Sequence, residues 1–449
     1  MNPDSNFITS LFNISPESIE SFVTHTSAEE VVYELTLRRT FSDCPYCGGR
    51  LIGYGHKTKV INHPVLSNRQ CCIKYHANRY RCTFCGRTGF EYNPFSMPGF
   101  NSSTLLLQQV MARFKNLNYT LDMISKEMNI SNTQLNTYLD SFITIPKRPL
   151  PESIGIDEIH SRALSKRTSP FLCILVDNEK RCIYDILDSR AKYSLARHFS
   201  NIPREERLNV RYVTIDMWEP YRDLAETYFP NAVVAVDPFH VIGHLTKDFE
   251  RLRISLMKRC DYQSNGYYLL KKWSWILEKD DVDLDNNRVF NHRFGTELNR
   301  RDMRDIIFST FPVLHAAYEL KEMYRKFNRL NDYDEACSLF PRIKKFFADS
   351  GIEEYNEFTG LLYRWDTEIL NSFIRPYEDN RRLSNAYTEN INGKIRTYIN
   401  VSRGIKNFDR FRKRVIYALN TDISYALTSN LHSEKYTGKA RGPYEKTYD

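Results

Sequence analysis

SIGIDEIH, residues 153–160, is a short isoleucine-rich run interrupted by an acid, Asp157. Two later runs repeat the pattern: YVTIDMW, 212–218, reaches Asp216, and VVAVDPFH, 233–240, reaches Asp237. Each reads as a buried strand, because a continuous β-branched run suits a sheet covered on both faces. A carboxylate at the end of such a strand needs a partner, and several together repel unless a divalent cation neutralises them. Magnesium or manganese meets that need. A fourth acid, Glu389 in NAYTENINGK (385–394), lies in a segment of helical spacing where Ala386, Glu389, Asn390 and Gly393 share a face.

The order around these acids is strand (153–160), strand (171–176), a turn at Asp177 and Asn178, and strand (181–187). A helix (191–199), a strand ending at Asp216, a helix (220–229) and a strand ending at Asp237 follow. This is the order of a ribonuclease-H-like fold, in which the first and fourth strands lie side by side and parallel, making Asp157 and Asp216 neighbours. In that fold the last acid sits on a helix after the fifth strand, whereas Glu389 comes only after a long stretch, 241–382, of helical periodicity and almost no β-signal. The expectation is an α/β protein with a ribonuclease-H-like catalytic core in two parts, 151–240 and 383–430, interrupted by an all-helical insertion at 241–382 and followed by a flexible tail at 431–449. Two cations bridged by such carboxylates would lie about 3.5 to 4 Å apart and serve phosphodiester hydrolysis and transesterification.

Residues 1–95 hold a second metal signature. CPYCG places Cys44 and Cys47, and CTFCG places Cys82 and Cys85, two residues apart with a glycine after the second sulfur. That spacing fits a zinc ribbon, in which four thiolates complete a closed structural site and leave no open position for catalysis. Leu51–Tyr54, Thr58–Ile61 and Cys71–Tyr80 suit its small antiparallel sheet. Cys71 and Cys72 read as packing, and His56, His63 and His76 are not needed as ligands.

From Cys44 to Phe90 there are eight Lys or Arg and no acid. Lys57, Lys59, Arg79, Arg81 and Arg87 are the candidate DNA contacts, since phosphate backbone is the natural partner of such a run. A second basic run, Asn390 to Arg414, includes Lys394, Arg396 and Arg403 against the single acid Asp409. Between the runs, 96–150 reads as a helix-turn-helix. Helical spacing from Ser103 to Leu117 is followed by two short helices broken at Met128–Ile130, with Thr120 as one cap and Ser131 with Gln134 as a capping box. Gln134, Asn136 and Thr137 would face a groove.

At 449 residues the chain has room for several domains, and its hydrophobic share of 41% supports packed cores. The net charge is +8. No apolar stretch is long enough for a membrane span, and MNPDSNFITS lacks the features of a secretory signal, so a soluble intracellular protein with no membrane partner is expected. Ten cysteines in that setting favour metal binding over disulfides.

The whole pattern resembles the bacterial insertion-sequence transposases of the ISL-three type, which join a zinc-binding N-terminus to a DDE catalytic domain. The residues that carry the resemblance are the two cysteine motifs, GIDE (155–158), DMWEPY (216–221), DPFHV (237–241), ENINGKI (389–395) and RGIKNFDRFRKR (403–414). The resemblance implies recognition of terminal inverted repeats in double-stranded DNA, metal-dependent cleavage, and strand transfer into target DNA. It implies Asp157, Asp216 and Glu389 as the magnesium- or manganese-binding triad, Asp237 and His240 as auxiliary residues, and structural zinc on the four cysteines. A triad of Asp157, Asp237 and Glu389 stays open. A homodimer or larger assembly in the bacterial cytoplasm, associated with the nucleoid, is also implied. The alternatives are a catalytically silent DNA-binding regulator and a structure-specific nuclease. Trp218, two residues after the second acid, is a candidate for stacking on an unpaired base, while Trp273, Trp275 and Trp365 are indistinguishable from packing residues.

Overall fold

The computed structural model describes residues 3–66, 68–165, 169–279, 282–402 and 405–427. Two compact units emerge, one taking in the chain to Lys147 and again from Lys394, the other Arg148–Gly393.

The first unit opens with α1 (Pro3–Phe12) and five strands: β1 (Ile19–Thr26), β2 (Glu30–Leu37), β3 (Leu51–Leu66), β4 (Arg69–Cys82) and β5 (Thr88–Phe90). Their order is β1-β2-β4-β3, with β5 also on β4. The short segments expected between the cysteine pairs form one long antiparallel hairpin, because register shifts at Gly53/His56 and His63/Leu66 absorb the interruptions within a single β3. Ile73, Tyr75, Ala77 and Phe95 make the centre of its core.

Helices α2 (Thr104–Phe114), α3 (Leu121–Met128) and α4 (Asn132–Phe142) follow. Ser103, Thr120 and Ser131 cap them by accepting the backbone N–H groups of Leu106, Met123 and Gln134. Asn129, at φ 51°, closes α3 in the left-handed conformation, which Asn tolerates, and this makes the tight turn into α4.

The second unit is built on β6 (Ser153–His160), β7 (Phe171–Asp177), β8 (Cys182–Leu187), α5 (Lys192–Ser200), α6 (Arg204–Leu208), β9 (Tyr212–Ile215), α7 (Glu219–Tyr228) and β10 (Val233–Val236). The sheet order is β10-β9-β6-β7-β8. β6 pairs parallel with β9 and β9 with β10, while β6–β7 and β7–β8 are antiparallel. The first and fourth of these strands are therefore parallel neighbours, as their order in the sequence suggested. Gly155 is what lets this centre close: a Cβ there would lie 2.6 Å from Val176 Cγ2 and 2.9 Å from the amide oxygens of Asn178 and Asn385.

The chain then continues through α8 (Pro238–Arg259), α9 (Asn265–Lys272), α10 (Trp275–Glu278), β11 (Val289–Asn291), β12 (Thr296–Leu298), α11 (Arg300–Thr310), α12 (Pro312–Asn328), α13 (Tyr333–Asp349), α14 (Asn356–Arg364) and α15 (Asp366–Asn371). The stretch 241–382, expected to be an all-helical insertion, thus also carries strands. β11 and β12 form a hairpin whose turn needs Gly295 at φ 66°, a signal too short to stand out against long helical periodicity. Among the described residues, the apolar side chains of this stretch pack with those of the α/β sheet. One apolar cluster runs from Ile156, Val213 and Val236 under the sheet to Phe249, Tyr324, Phe358 and Trp365 in the helices.

The last elements are α16 (Ala386–Val401) and α17 (Phe408–Leu419), and the division between units falls inside α16. Where the sequence grouped 383–430 with the α/β core, α17 belongs to the first unit. Lys115, at the end of α2, donates to the carbonyls of Tyr417, Asn420 and Ile423 at 2.7–3.1 Å. Arg414 in α17 donates to those of Phe114, Asn116 and Tyr119 at 2.9–3.3 Å. Each cation thereby satisfies a last-turn carbonyl, Tyr417 in α17 for Lys115 and Phe114 in α2 for Arg414, together with loop carbonyls that follow. Arg403 and the tail at 431–449 lie outside the described residues.

Candidate functional site

The acids of the second unit gather where parallel strands end. Asp157 is in β6, Asp216 directly follows β9 and Asp237 directly follows β10, so parallel pairing carries their side chains toward one edge of the sheet. Ligand atoms of Asp157, Glu158 and Asp216 all lie within 4.8 Å of one another, as do those of Asp237, His240 and Glu389. Asp157 is therefore brought to Asp216, and Glu389 to Asp237 and His240. His240 Nε2 stands 3.4 Å from Glu389 Oε1.

The first cluster is held from two sides. Asp157 Oδ1 accepts the backbone N–H of Glu158 and Oδ2 accepts Asn392 Nδ2, both at 2.7 Å. Asn392 is three residues after Glu389, so one face of α16 presents both side chains. Glu158 is held by an ion pair with Arg190 and by the Tyr221 hydroxyl, which donates at 3.1 Å. Sequence reasoning missed Glu158 as a ligand candidate because neighbours along a strand point to opposite faces. The signal was the adjacent acid pair in GIDE.

This crowding costs free energy. Burial pushes the Asp216 carboxyl up to about 7, with the charges of Glu158 and Asp157 adding to the rise. Burial also raises Glu158, against the pull of Arg190. It raises Asp237, which His240 and the backbone N–H groups of Asn385 and Phe239 pull back down. Asp157 acts on Asp237, and His240 on both Asp216 and Glu158, so the two clusters share one electrostatic field. Asp237 Oδ2 is buried and has no hydrogen-bond partner among the described residues. Hard oxygen donors whose negative charges oppose one another are the donor set that a magnesium or manganese ion fits.

In the first unit, Cys44, Cys47, Cys82 and Cys85 form a third cluster, with Sγ–Sγ distances of 3.8 Å (44–85) and 3.5 Å (47–82). A tetrahedral zinc ion at about 2.3 Å from each sulfur requires separations of about 3.8 Å, so the residues fit the ion. Gly48 (φ 69°) and Gly86 (φ 71°) turn each knuckle, and the N–H groups of Phe84 and Cys85 donate to Cys82 Sγ.

The same hairpin carries a cationic, aromatic surface. Lys57 and Lys59 lie over the Phe90 ring at 5.9 and 6.0 Å, Arg79 and Arg81 over Tyr54 at 5.0 and 5.7 Å, and Arg87 over Tyr46 at 4.6 Å. None of the five pairs with a carboxylate among the described residues. Lys394 and Arg396 are exposed on α16. On α4, Asn136 lines a cavity of about 520 Å³ together with Lys406 and Arg410. Gln134 does not return the bond expected of a capping box, because its amide donates to Ser102 and Tyr138 at 2.7 Å.

An acidic cluster that suits a divalent cation in one unit and, in the other, a tetrathiol cluster beside lysines and arginines without carboxylate partners among the described residues are features that a protein acting on DNA would use. A family model described as transposase, of the DDE type named ISL3 (ISL-three), matches residues 154–415, more than half of the chain, and the chain belongs to that family. No curated protein matches it. Among the described residues no helix is long and apolar enough to cross a membrane.

Proposed function

We propose that this transposase binds the terminal inverted repeats of its element, cleaves there, and joins the freed 3′ hydroxyls to target DNA. The second unit is read as a ribonuclease-H-like core in which Asp157, Asp216 and Glu389 hold catalytic magnesium or manganese. When bound, such ions activate the attacking oxygen and stabilise the leaving one. The chain's own residues do the positioning. Asn392 and the Glu158 N–H fix both oxygens of Asp157, Arg190 and Tyr221 restrain Glu158, and His240 orients Glu389 while Asp237 steadies the start of α8. The observation that carries this reading is the meeting of Asp157, Glu158 and Asp216 within 4.8 Å.

The first unit is read as the DNA-recognition module. Structural zinc on Cys44, Cys47, Cys82 and Cys85 fixes the hairpin, so that Lys57, Lys59, Arg79, Arg81 and Arg87 track phosphates. In this reading α3 and α4 form a helix-turn-helix with Asn136 toward a groove, and Gln134 must exchange its internal bonds to reach a base. Lys394 and Arg396 add phosphate contacts, and a dimer or larger assembly brings two ends together. A second ligand set, Asp157 with Asp237 and Glu389, draws on the grouping of Glu389 with Asp237. The experiment is incubation of purified protein with magnesium and DNA carrying the repeats that flank the gene. Nicked and joined products are expected, whereas binding without cutting would move the protein to the silent regulators.

A further inference from the structure

The insertion contains a cleft of about 740 Å³ whose lining, among the described residues, has no carboxylate. Five rings line it: Tyr268 from α9, Trp273, Trp275 from α10, Phe290 from the β11–β12 hairpin, and His292 beside it. Trp273 and Trp275 lie near parallel, 26° between planes with centroids 6.3 Å apart. Lys272, Arg293 and Arg300 supply positive charge among these rings, Arg300 at 5.4 Å from the Trp275 centroid and Lys272 and Arg293 at 5.7 and 5.8 Å from that of Tyr268. Phe290 is 52% exposed and its neighbour Val289 65%, although both belong to a defined strand. Trp273 Nε1 is buried and has no acceptor among the described residues.

Flat rings interleaved with permanent cations, and no acid among the described lining residues, match the chemistry of an unpaired nucleotide. The rings take the base, the cations its phosphates. An apolar protein segment would not require the cations, and a duplex groove would not require the exposed rings. We propose that this cleft binds one or more unpaired DNA bases, so that the insertion grips a displaced or flipped strand during the reaction. The inference rests on the DNA-processing role argued above and adds a second, single-strand-selective contact to it.

The test uses the full-length protein and two fluorescent DNAs, a blunt duplex and the same duplex with a flap of about six unpaired thymidines, at fixed salt. Wild type is expected to prefer the flap by about 5- to 100-fold, the range that stacking of one base supplies. Phe290→Ala, at an exposed position that folding does not depend on, and Trp275→Ala should erase the preference while leaving duplex affinity unchanged. As an arm needing no variant, photo-crosslinking of 5-iododeoxyuridine placed in the flap should map to Trp273, Trp275 or Phe290. Equal affinity of wild type for both DNAs, or crosslinks confined to the first unit, would overturn the inference. So would a change of oligomeric mass in Phe290→Ala with the flap preference intact, which would make the cleft a protein contact. Loss of all duplex binding by wild type would sink the underlying transposase reading as well.

Discussion

Asp216→Asn should make the protein more stable while abolishing its chemistry. The carboxyl ordinarily ionises near 3.8 and is pushed up to about 7 by burial and by its acidic neighbours. The sign follows from linkage: below the unfolded value both states are protonated and nothing is lost, but as pH rises toward 7 the unfolded chain ionises while the folded site resists. Stability is therefore lost progressively between about pH 4 and pH 7 and stays lost above. At about 1.4 kcal/mol per pH unit the displacement amounts to about 4 kcal/mol. Solvent screening at this partly exposed site reduces that to about 2 kcal/mol. An amide of the same shape escapes this cost. In magnesium-free buffer at pH 8, the Asp216→Asn variant should melt about 4–8 °C above wild type, and at pH 5 the gain should shrink. Magnesium or manganese should raise the wild-type midpoint at pH 8 and leave the variant nearly unchanged. A variant that melts at or below the wild-type temperature at pH 8 would refute the claim that these carboxylates are held together against repulsion.

Three further outcomes follow from other parts of the molecule. Gly155→Ala places a methyl 2.6 Å from Val176 Cγ2 and should cost about 1–3 kcal/mol in a denaturant titration, with loss of activity because Asn385 and the start of α16 must shift. Cys82→Ser should lower the bound zinc measured by elemental analysis from one per chain toward zero, and should loosen the β3–β4 hairpin in hydrogen exchange without altering magnesium-dependent stabilisation. Arg79→Ala with Arg81→Ala should weaken binding of any duplex and reduce the slope of log affinity against log salt by about 2.

The acid-tipped strands were legible because short runs rich in Val and Ile suit strands covered on both faces, and their order suggested that Asp157 and Asp216 are neighbours. The cysteine knuckles were legible because spacing and glycine together specify a metal turn. Glu158 was hidden by strand alternation, and the β11–β12 hairpin by its brevity. Arg414 shows a different limit. In the sequence it belongs to a basic run aimed at phosphate, yet it is 1% exposed and directs its donors to carbonyls at the end of α2 and in the loop that follows it. Arg410, in the same run, is matched to Asp140 at 2.7 Å. A count of charges cannot tell a residue that contacts a ligand from one that closes a helix end, because the partners are supplied by a helix some 300 residues away. Gln134 falls under the same limit, since its acceptors come from Ser102 and Tyr138.

The central claim is that Asp157, Asp216 and Glu389 perform the chemistry while Asp237 supports it. Its most direct test is a strand-cleavage and joining assay with magnesium on DNA carrying the flanking inverted repeats, comparing wild type with Asp157→Ala, Asp216→Ala, Asp237→Ala and Glu389→Ala. The account predicts joining abolished by the first, second and fourth changes and only weakened by the third. Abolition by Asp237→Ala with joining retained in Asp216→Ala would contradict it and assign the second ligand position to Asp237.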